Sequence, residues 1–334
     1  MADLIFSAAA GLNDSIFGKS AYPIHMIMEQ SLEAHEQQSV LKKLYKFEKS
    51  DNWAEELTAM SAMDNWEVTP ENGKPKKSGM QETFKKQIEH VEWTNQFDIT
   101  RKMVDDSKFN LMEMRARKMA QSYARTREEF GIRMITNATG KTLKYQNTLF
   151  DTTTADGLPL FSTAHPYFFD KKKTQCNMYS DKFSNRVLAK MESRMQNLEG
   201  DKGEVLAVAP TTILIPNVDD IVYDVFEAIG ADKDPDTSNN GFNYQYGRWN
   251  VLATPLKYWN IDPNAEIKPF ILLDSNFNDT DLTAVWFERI PMEVDAWVEN
   301  GTKAAIYSGY ARFGVGFNNW RGMMMGGMEG GLAL

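Results

Sequence analysis

Ser162 and His165 lie three residues apart and are the nearest approach in this sequence to a nucleophile with its base. A serine becomes nucleophilic when an adjacent imidazole takes its proton, and many hydrolases hold that serine in a Gly-x-Ser-x-Gly turn. No such turn surrounds Ser162, and Pro166 directly after the histidine indicates an ordinary turn. A hydrolase of unrecognised type is the enzymatic alternative. It would use His165 or the acidic loop considered next.

That acidic loop contains Asp232, Asp234 and Asp236, which alternate as the ligands of a calcium loop do. The position that requires glycine is Thr237, and the position of the bidentate glutamate is Asn243. Both departures favour an acidic surface loop without a bound cation.

Two further motifs suggest ligand binding, but the residues around them do not fit it. Gly140-Lys141-Thr142 resembles the end of a phosphate-binding loop, but Ile135 occupies the position of the required earlier glycine, and a helix precedes the motif. Lys171–Lys173 follow a short aromatic run, which single-strand binders also show, but one such cluster in an acidic chain favours a solvated loop. We therefore expect neither phosphate nor single-strand binding here.

Metal and redox chemistry are not indicated either. Cys176 is the single cysteine, so neither an intrachain disulfide nor a cysteine-based zinc cluster can form. No pair of histidines has metal-ligand spacing; they are His25, His35, His90 and His165. We expect no catalytic residue, no metal and no cofactor.

Composition excludes several other classes. The 334 residues include 37 Lys plus Arg and 46 Asp plus Glu, a net charge of −9. An acidic chain does not attract nucleic acid over its whole surface. The hydrophobic fraction of 42% is that of a globular protein. No apolar run approaches the roughly 20 residues that span a bilayer, so we expect no membrane partner.

The elements that must position these residues include one very long helix. Apolar residues recur at three- and four-residue spacing from 109 to 138, which predicts a helix of roughly 45 Å. Gly140 is predicted to end it in a left-handed cap. The predicted apolar face contains Phe109, Met112, Ala116, Met119, Tyr123, Phe130 and Met134.

A hairpin is predicted ahead of this helix, in 51–106. Alternation from Val91 to Ile99, interrupted on the apolar face by Asn95, predicts a half-buried strand, and Trp66–Thr69 is predicted as the upstream strand. Asn72-Gly73 between them favours a turn with a polar, basic tip. Before the hairpin, residues 1–50 are predicted to form a partly helical arm that needs a partner surface.

The rest of the sequence predicts a mixture of helices and strands, followed by a Gly- and Met-rich tail over 322–331. Helices are predicted at 181–198 and 218–229. Strands are predicted at 158–163, 205–209, 212–215, 249–253, 270–273, 284–288, 293–299, 304–308 and 311–317.

Several of these segments are similar to a known family. Asp156 to Pro166, with the sequence DGLPLFSTAHP, resembles the Gly-x-x-Leu-Phe-Ser-x-x-His-Pro segment of tailed-bacteriophage major capsid proteins, particularly the Mu-like major head subunits. The resemblance covers roughly 107–322. Its other segments are Leu214-Ile215-Pro216, Thr254-Pro255-Leu256, Trp286-Phe287-Glu288 and Ala311–Gly316.

The resemblance implies an α+β fold of the Hong Kong 97 type. Its parts would be an N-terminal arm (1–50), an extended hairpin loop (51–106), a peripheral domain with a long spine helix (107–198), an axial domain (199–280), and peripheral return strands with a tail (281–334). Many relatives contain a long cleaved scaffolding segment before the arm. The composition of 1–50 instead predicts a docking arm that the finished particle keeps.

The resemblance also implies a function. The chain would be a major head protein that assembles with itself into pentamers and hexamers of an icosahedral shell around double-stranded DNA. Separate scaffolding and portal proteins would assist, in the host cytoplasm during assembly, and the product would be the virion. A cellular nanocage of the same fold is the non-enzymatic alternative. The residues predicted to contact other subunits are Glu71, Asn72, Lys74, Lys76, Lys77, Phe6 and Phe17.

Overall fold

The structure, a computed structural model, describes residues 5–6, 18–61, 63, 66–106, 108–230, 232 and 242–334, with side chains from Ile24 onwards. Its α-helices are α1 (Gly18–Gln38), α2 (Leu41–Leu44), α3 (Arg101–Asp105), α4 (Phe109–Thr136), α5 (Asn185–Gln196), α6 (Asp219–Gly230) and α7 (Ser275–Asp281). Its strands are β1 (Ile5–Phe6), β2 (Lys46–Lys49), β3 (Ala54–Met60), β4 (Glu82–Glu89), β5 (Val91–Ile99), β6 (Thr142–Tyr145), β7 (Thr148–Asp151), β8 (His165–Pro166), β9 (Thr174–Gln175), β10 (Thr212–Pro216), β11 (Asn250–Thr254), β12 (Phe270–Leu273), β13 (Ala284–Val298), β14 (Ala305–Phe317) and β15 (Met323–Gly326).

Two sheets organise the described chain. The larger has the order β1-β13-β14-β5, and β2 also pairs with β13. β13 and β14 are antiparallel, and β5 pairs antiparallel with β14 along its whole length. The smaller sheet has the order β11-β10-β12-β15, in which β10 and β11 are parallel and the other pairs antiparallel.

The long helix is confirmed as α4, which is 28 residues long. Most of the predicted apolar face is buried, namely Met112, Ala116, Met119, Phe130 and Met134. Phe109 was placed on that face wrongly, because it lies in the first turn and is 53% exposed. The predicted left-handed cap at Gly140 is also wrong. The helix ends at Thr136 and is capped by Asn137, whose side-chain amide donates to the Arg133 carbonyl, so no left-handed residue is required.

Gly131 in α4 permits a close contact. A Cβ at this position would lie 2.5 Å from Leu41 Cδ2 and 3.1 Å from a ring carbon of Trp286. Its carbonyl accepts a 2.7 Å hydrogen bond from the buried Tyr45 hydroxyl. The glycine therefore allows α2 and β13 to pack against the last turns of the helix.

The N-terminal segment finds a partner surface within its own chain. Helix α1 packs along α4 and buries Ile24, Met28 and Leu32, which recur every four residues. At its end, the Glu128 carboxylate of α4 accepts hydrogen bonds from the Ser39 hydroxyl (2.6 Å) and the Val40 N–H (3.0 Å). The helical part of this segment runs from Gly18 to Gln38.

The predicted hairpin exists with different strands. β3 pairs antiparallel with β4, and no strand forms over the predicted segment Trp66–Thr69. β5 was correctly predicted as a half-buried strand, but its partner is β14 in the larger sheet. Alternation shows that one face of a strand is buried, and it does not show against which strand.

The remaining predictions mostly hold for regular elements. Helices α5 and α6 and strands β10, β11 and β12 lie close to where they were expected. The four strands predicted over 284–317 form only two, the long strands β13 and β14. The strands predicted at 158–163 and 205–209 are absent, because each segment makes only an isolated bridge. The tail includes a buried strand, β15, that pairs with β12. The stretch 281–334 thus contributes to both sheets.

Candidate assembly surface

The β3–β4 hairpin is firmly attached at its base. Leu57 and Ile88 pack against Val285 and Phe287 of β13. Gly316 of β14 leaves room for Ile88, since a Cβ there would lie 2.5 Å from its Cδ1. The sheet therefore holds the base of the hairpin in place.

Buried and half-buried polar and aromatic contacts add to this attachment. The Lys86 ammonium donates to the Asp151 carboxylate and, at 2.7 Å, to the Thr153 hydroxyl. Phe84 meets Phe168 edge-on, with ring centroids 5.0 Å apart. These contacts fix the hairpin against the segments that follow helix α4.

The tip of the hairpin, residues 61–81, is in contrast largely exposed where the structure describes it. Pro70 accepts a 2.8 Å hydrogen bond from the Gly73 N–H, and Asn72 has a φ of +69°, so the predicted turn is present. The Lys202 ammonium donates to the Gly79 carbonyl at 2.9 Å. The predicted contact residues in the tip are all exposed: Glu71, Asn72, Lys74, Lys76 and Lys77.

Two large apolar side chains on the tip were missed as contact candidates. Trp66 and Val68 are fully exposed, at 101% and 100%. Both residues belong to the segment Trp66–Thr69, which the sequence predicted as a strand. Trp66 and Val68 alternate with the polar Glu67 and Thr69, and no part of the described chain covers them. Lys76 forms a 3.0 Å ion pair with Glu67 beside them.

For the two predicted contact residues of the arm, the structure describes only the backbone of Phe6. The backbone of Phe6 pairs in parallel with Val294 of β13, and nothing is described of its side chain. Phe17 lies outside the described residues. Both stay predictions.

His165 lies in a buried polar centre. Its Nδ1 is 2.6 Å from Asp156 Oδ2, its Nε2 is 3.2 Å from Asn177 Oδ1, and its ring stacks on Trp320 at 4.3 Å. The residue is 1% exposed. Burial acts to raise the pKa of the Asp156 carboxyl, but hydrogen bonds from His165, Thr154 and a backbone N–H outweigh it and lower that pKa.

This arrangement joins separate segments of the chain. It offers the Ser162 hydroxyl no free imidazole nitrogen as a base. Both ring nitrogens of His165 are engaged, and the Ser162 hydroxyl accepts a hydrogen bond from the Ala164 N–H at 3.3 Å. The side-chain amide of Asn177 donates to the carbonyls of Leu160 and Met323. The centre thus joins the loop before β8 to the strand β15.

The other motifs are not brought together. Asp234 and Asp236 lie outside the described residues, and Asn243 is buried with its amide donating to the Ala228 carbonyl. Lys171–Lys173 are exposed between β8 and β9. Among the described residues, no group of three His, Cys, Asp or Glu side chains could hold a metal ion. Within the same residues, no helix is long and apolar enough to cross a membrane.

Solved phage structures share this fold. The capsid of Ralstonia phage GP4 matches with a TM-score of 0.53 at 9% identity, over 85% of this chain and 86% of that chain. A structure from Mycobacterium phage Patience matches with 0.52 at 10% identity, over 97% and 92%. The capsid of cyanophage P-SCSP1u matches with 0.51 at 9% identity, over 86% and 87%. The predicted α+β capsid fold is confirmed, and the boundaries of its parts stay predictions.

A search of curated proteins finds no match. The family model described as phage capsid protein matches residues 83–324, from strand β4 to strand β15. That region is more than two thirds of the chain, and it contains helix α4, the buried polar centre and most strands of the two sheets, with β1 and β2 outside it. The chain belongs to the phage capsid protein family.

Proposed function

We propose that this capsid protein is the major subunit of an icosahedral phage head that encloses double-stranded DNA. Copies would close around axes as pentamers and hexamers through head-to-tail contacts. Obligate contacts of this kind bury about 2,000 Å² or more. The arm and the hairpin would lie over neighbouring copies.

The observation that supports this proposal most strongly is the contrast within the hairpin. Its base is fixed by Ile88 and Lys86, while its tip presents Trp66 and Val68 fully to solvent beside three lysines. Exposed apolar surface of this kind is favourable only when another molecule covers it. In a closed shell, the available molecule is a second copy.

The charge of the chain fits a container for DNA. With a net charge of −9, the subunit would enclose the polyanion without a general attraction to its phosphates. Separate scaffolding and portal proteins would guide closure of the head in the host cytoplasm. The DNA would be held without recognition of its sequence.

Expression of the full chain, followed by sedimentation and negative-stain imaging, tests the proposal. We expect megadalton icosahedral particles of head size when scaffolding is supplied. Small closed cages would favour the nanocage alternative, and a monomer or dimer under the same conditions would contradict a shell. Particle diameter is therefore the decisive measurement.

Deletion of Asn72–Lys77 tests the role of the tip. We expect particle yield or particle stability to fall, while the thermal unfolding of the isolated subunit is unchanged because the base contacts remain. Replacing the exposed Lys171–Lys173 with serine is the control. Normal, equally stable particles from the deletion would show that the tip is only a surface loop.

A further inference from the structure

Helices α5 and α6 lie on the same face of the smaller sheet and over different parts of it. Their buried residues share one core with Ile213 of β10 and Phe270 of β12. α6 packs against β10, whereas Met191 of α5 approaches Gly326 of β15, where a Cβ would lie 3.0 Å from its sulfur. Because β10 and β15 are separated by β12, the two helices lie towards opposite halves of the sheet.

The outer face of α5 is basic. Arg186, Lys190 and Arg194 recur every four residues, so they form one row along the helix. All three side chains are exposed, and the exposed positions of α5 include no carboxylate. Arg194 also lies over the Tyr179 ring, 4.9 Å from its centroid.

The outer face of α6 has the opposite character. Its exposed charged residues are Asp219, Asp220 and Glu227, and no cation accompanies them. Between them, Tyr223 and Phe226 are 76% and 53% exposed. The spacing of three and four residues places all five on one side of the helix.

Further exposed aromatic residues lie in the segment 242–246. It presents Phe242, Tyr244 and Tyr246 to solvent. Asn243 between them is buried and donates to the Ala228 carbonyl at the end of α6, so the segment is fixed beside that helix. Exposed aromatic clusters rimmed by charge are typical of protein contact surfaces.

We infer that the basic face of α5 in one copy docks on the acidic, aromatic face of α6 in the next copy around a ring. This inference rests on the proposed shell. The occupant is a second copy because the chain itself supplies both members of a complementary pair. A contact between two different faces of identical subunits repeats head to tail, and it closes a ring when the rotation allows. Within one copy, Lys182, which precedes α5, forms a 3.5 Å ion pair with Asp224 of α6.

Charge reversal of each face separately, then of both together, tests the docking. The α5 variant is Arg186→Glu with Lys190→Glu, and the α6 variant is Asp220→Lys with Glu227→Lys. Each variant places like charges at every ring contact, so we expect about a tenfold or greater loss of sedimenting particle. The full chain with all four changes restores opposite charges, and we expect particle yield to recover.

Lys171→Glu with Lys172→Glu is the matched control. It makes the same charge change as the α5 variant in an exposed loop, and we expect normal particles. Thermal unfolding of the unassembled subunits checks that each variant folds. Phe226→Ser is a second test that changes no charge and alters only an exposed side chain. We expect it to reduce particle yield, and it keeps the docking testable if a charge-reversal variant fails to fold.

The outcomes separate the two proposals. If the unaltered chain forms particles and the single-face variants match it, the docking is wrong while the shell stands. If the single-face variants lose particles and the variant with all four charge reversals does not recover them, direct pairing of the two faces is wrong. If the unaltered chain forms no particle at all, the shell and the docking fail together.

Discussion

The hairpin tip and the C-terminal segment 322–331 look equally irregular in sequence and have opposite surroundings. Trp66 and Val68 of the tip are fully exposed, whereas Met323, Met324 and Met325 of strand β15 are at most 1% exposed. The difference follows from charge. The tip contains charged residues throughout, including three lysines, while 322–328 contains glycine, methionine and no charged residue.

Glycine allows the C-terminal segment to enter the core. A Cβ at Gly326 would lie 2.4 Å from the Phe270 ring, and one at Gly327 would lie 2.3 Å from the Lys268 carbonyl oxygen. A Cβ at Gly79 in the tip would meet nothing within 4 Å. Glycine therefore permits close packing in the C-terminal segment, whereas in the tip it has no effect on packing.

Met324→Asp should break this comparison most severely. It places an unpaired carboxylate where the native side chain is fully buried, at a cost on the order of 3–5 kcal/mol. We expect insoluble or unfolded subunit, measured by soluble yield and thermal unfolding. Val68→Asp is the control on the exposed tip, and it should leave folding unchanged. Soluble, normally melting Met324→Asp protein would show that β15 is not part of the core.

Gly327→Ala should destabilise the subunit by about 1–3 kcal/mol. Gly327 has a φ of +69°, which alanine disfavours, and the added methyl group would collide with the Lys268 carbonyl oxygen. The thermal unfolding midpoint of the unassembled subunit measures the effect. Gly79→Ala is the matched control in the tip, and a change there equal to that of Gly327→Ala would contradict our account.

Acid should weaken the buried centre that joins β15 to the loop before β8. The pKa of Asp156 is lowered below its ordinary value of 3.8, so its contribution to the free energy of unfolding is complete above that value. The contribution declines as pH falls through the lowered pKa of the folded protein. We expect the stability difference between the native subunit and Asp156→Asn to shrink as pH falls below about 4. A difference that is constant from pH 7 to pH 3 would argue against this role.

Trp66→Ser should have the smallest effect on the subunit itself. The side chain is fully exposed, so the free energy of unfolding should change by no more than about 0.5 kcal/mol. Particle yield should nevertheless fall, because the apolar surface that a neighbour would cover is lost. Unchanged yield and particle melting would leave the exposed tryptophan without a role in assembly.

Local patterns in the sequence predicted much of the fold. The spacing of Met112, Ala116 and Met119 located α4 to within about two residues at its C-terminal end. Alternation located β5 as a half-buried strand. The partner of β5 could not be predicted in the same way, because Val91 pairs with Phe313, far away in the sequence.

The surfaces were harder to predict than the elements. Lys74, Lys76 and Lys77 were expected at an exposed tip, and they are exposed there. The full exposure of Trp66 could not be foreseen, because predicting a strand at 66–69 does not show whether another element covers that strand. The pairing of His165 with Asp156 and Asn177 also could not be foreseen, since it depends on three loops meeting beneath Trp320.

The order of strands in the larger sheet has a consequence for synthesis of the chain. Among the described strands, β2 pairs only with β13 and β5 pairs only with β14, and β14 ends at Phe317. Non-local pairing of this kind makes folding slow, since distant segments must meet before contacts form. A ribosome that has made the first 280 residues holds strands without their partners. Nascent or prematurely ended chains therefore cannot complete the sheet, and such chains would be excluded from assembly before they could damage a shell.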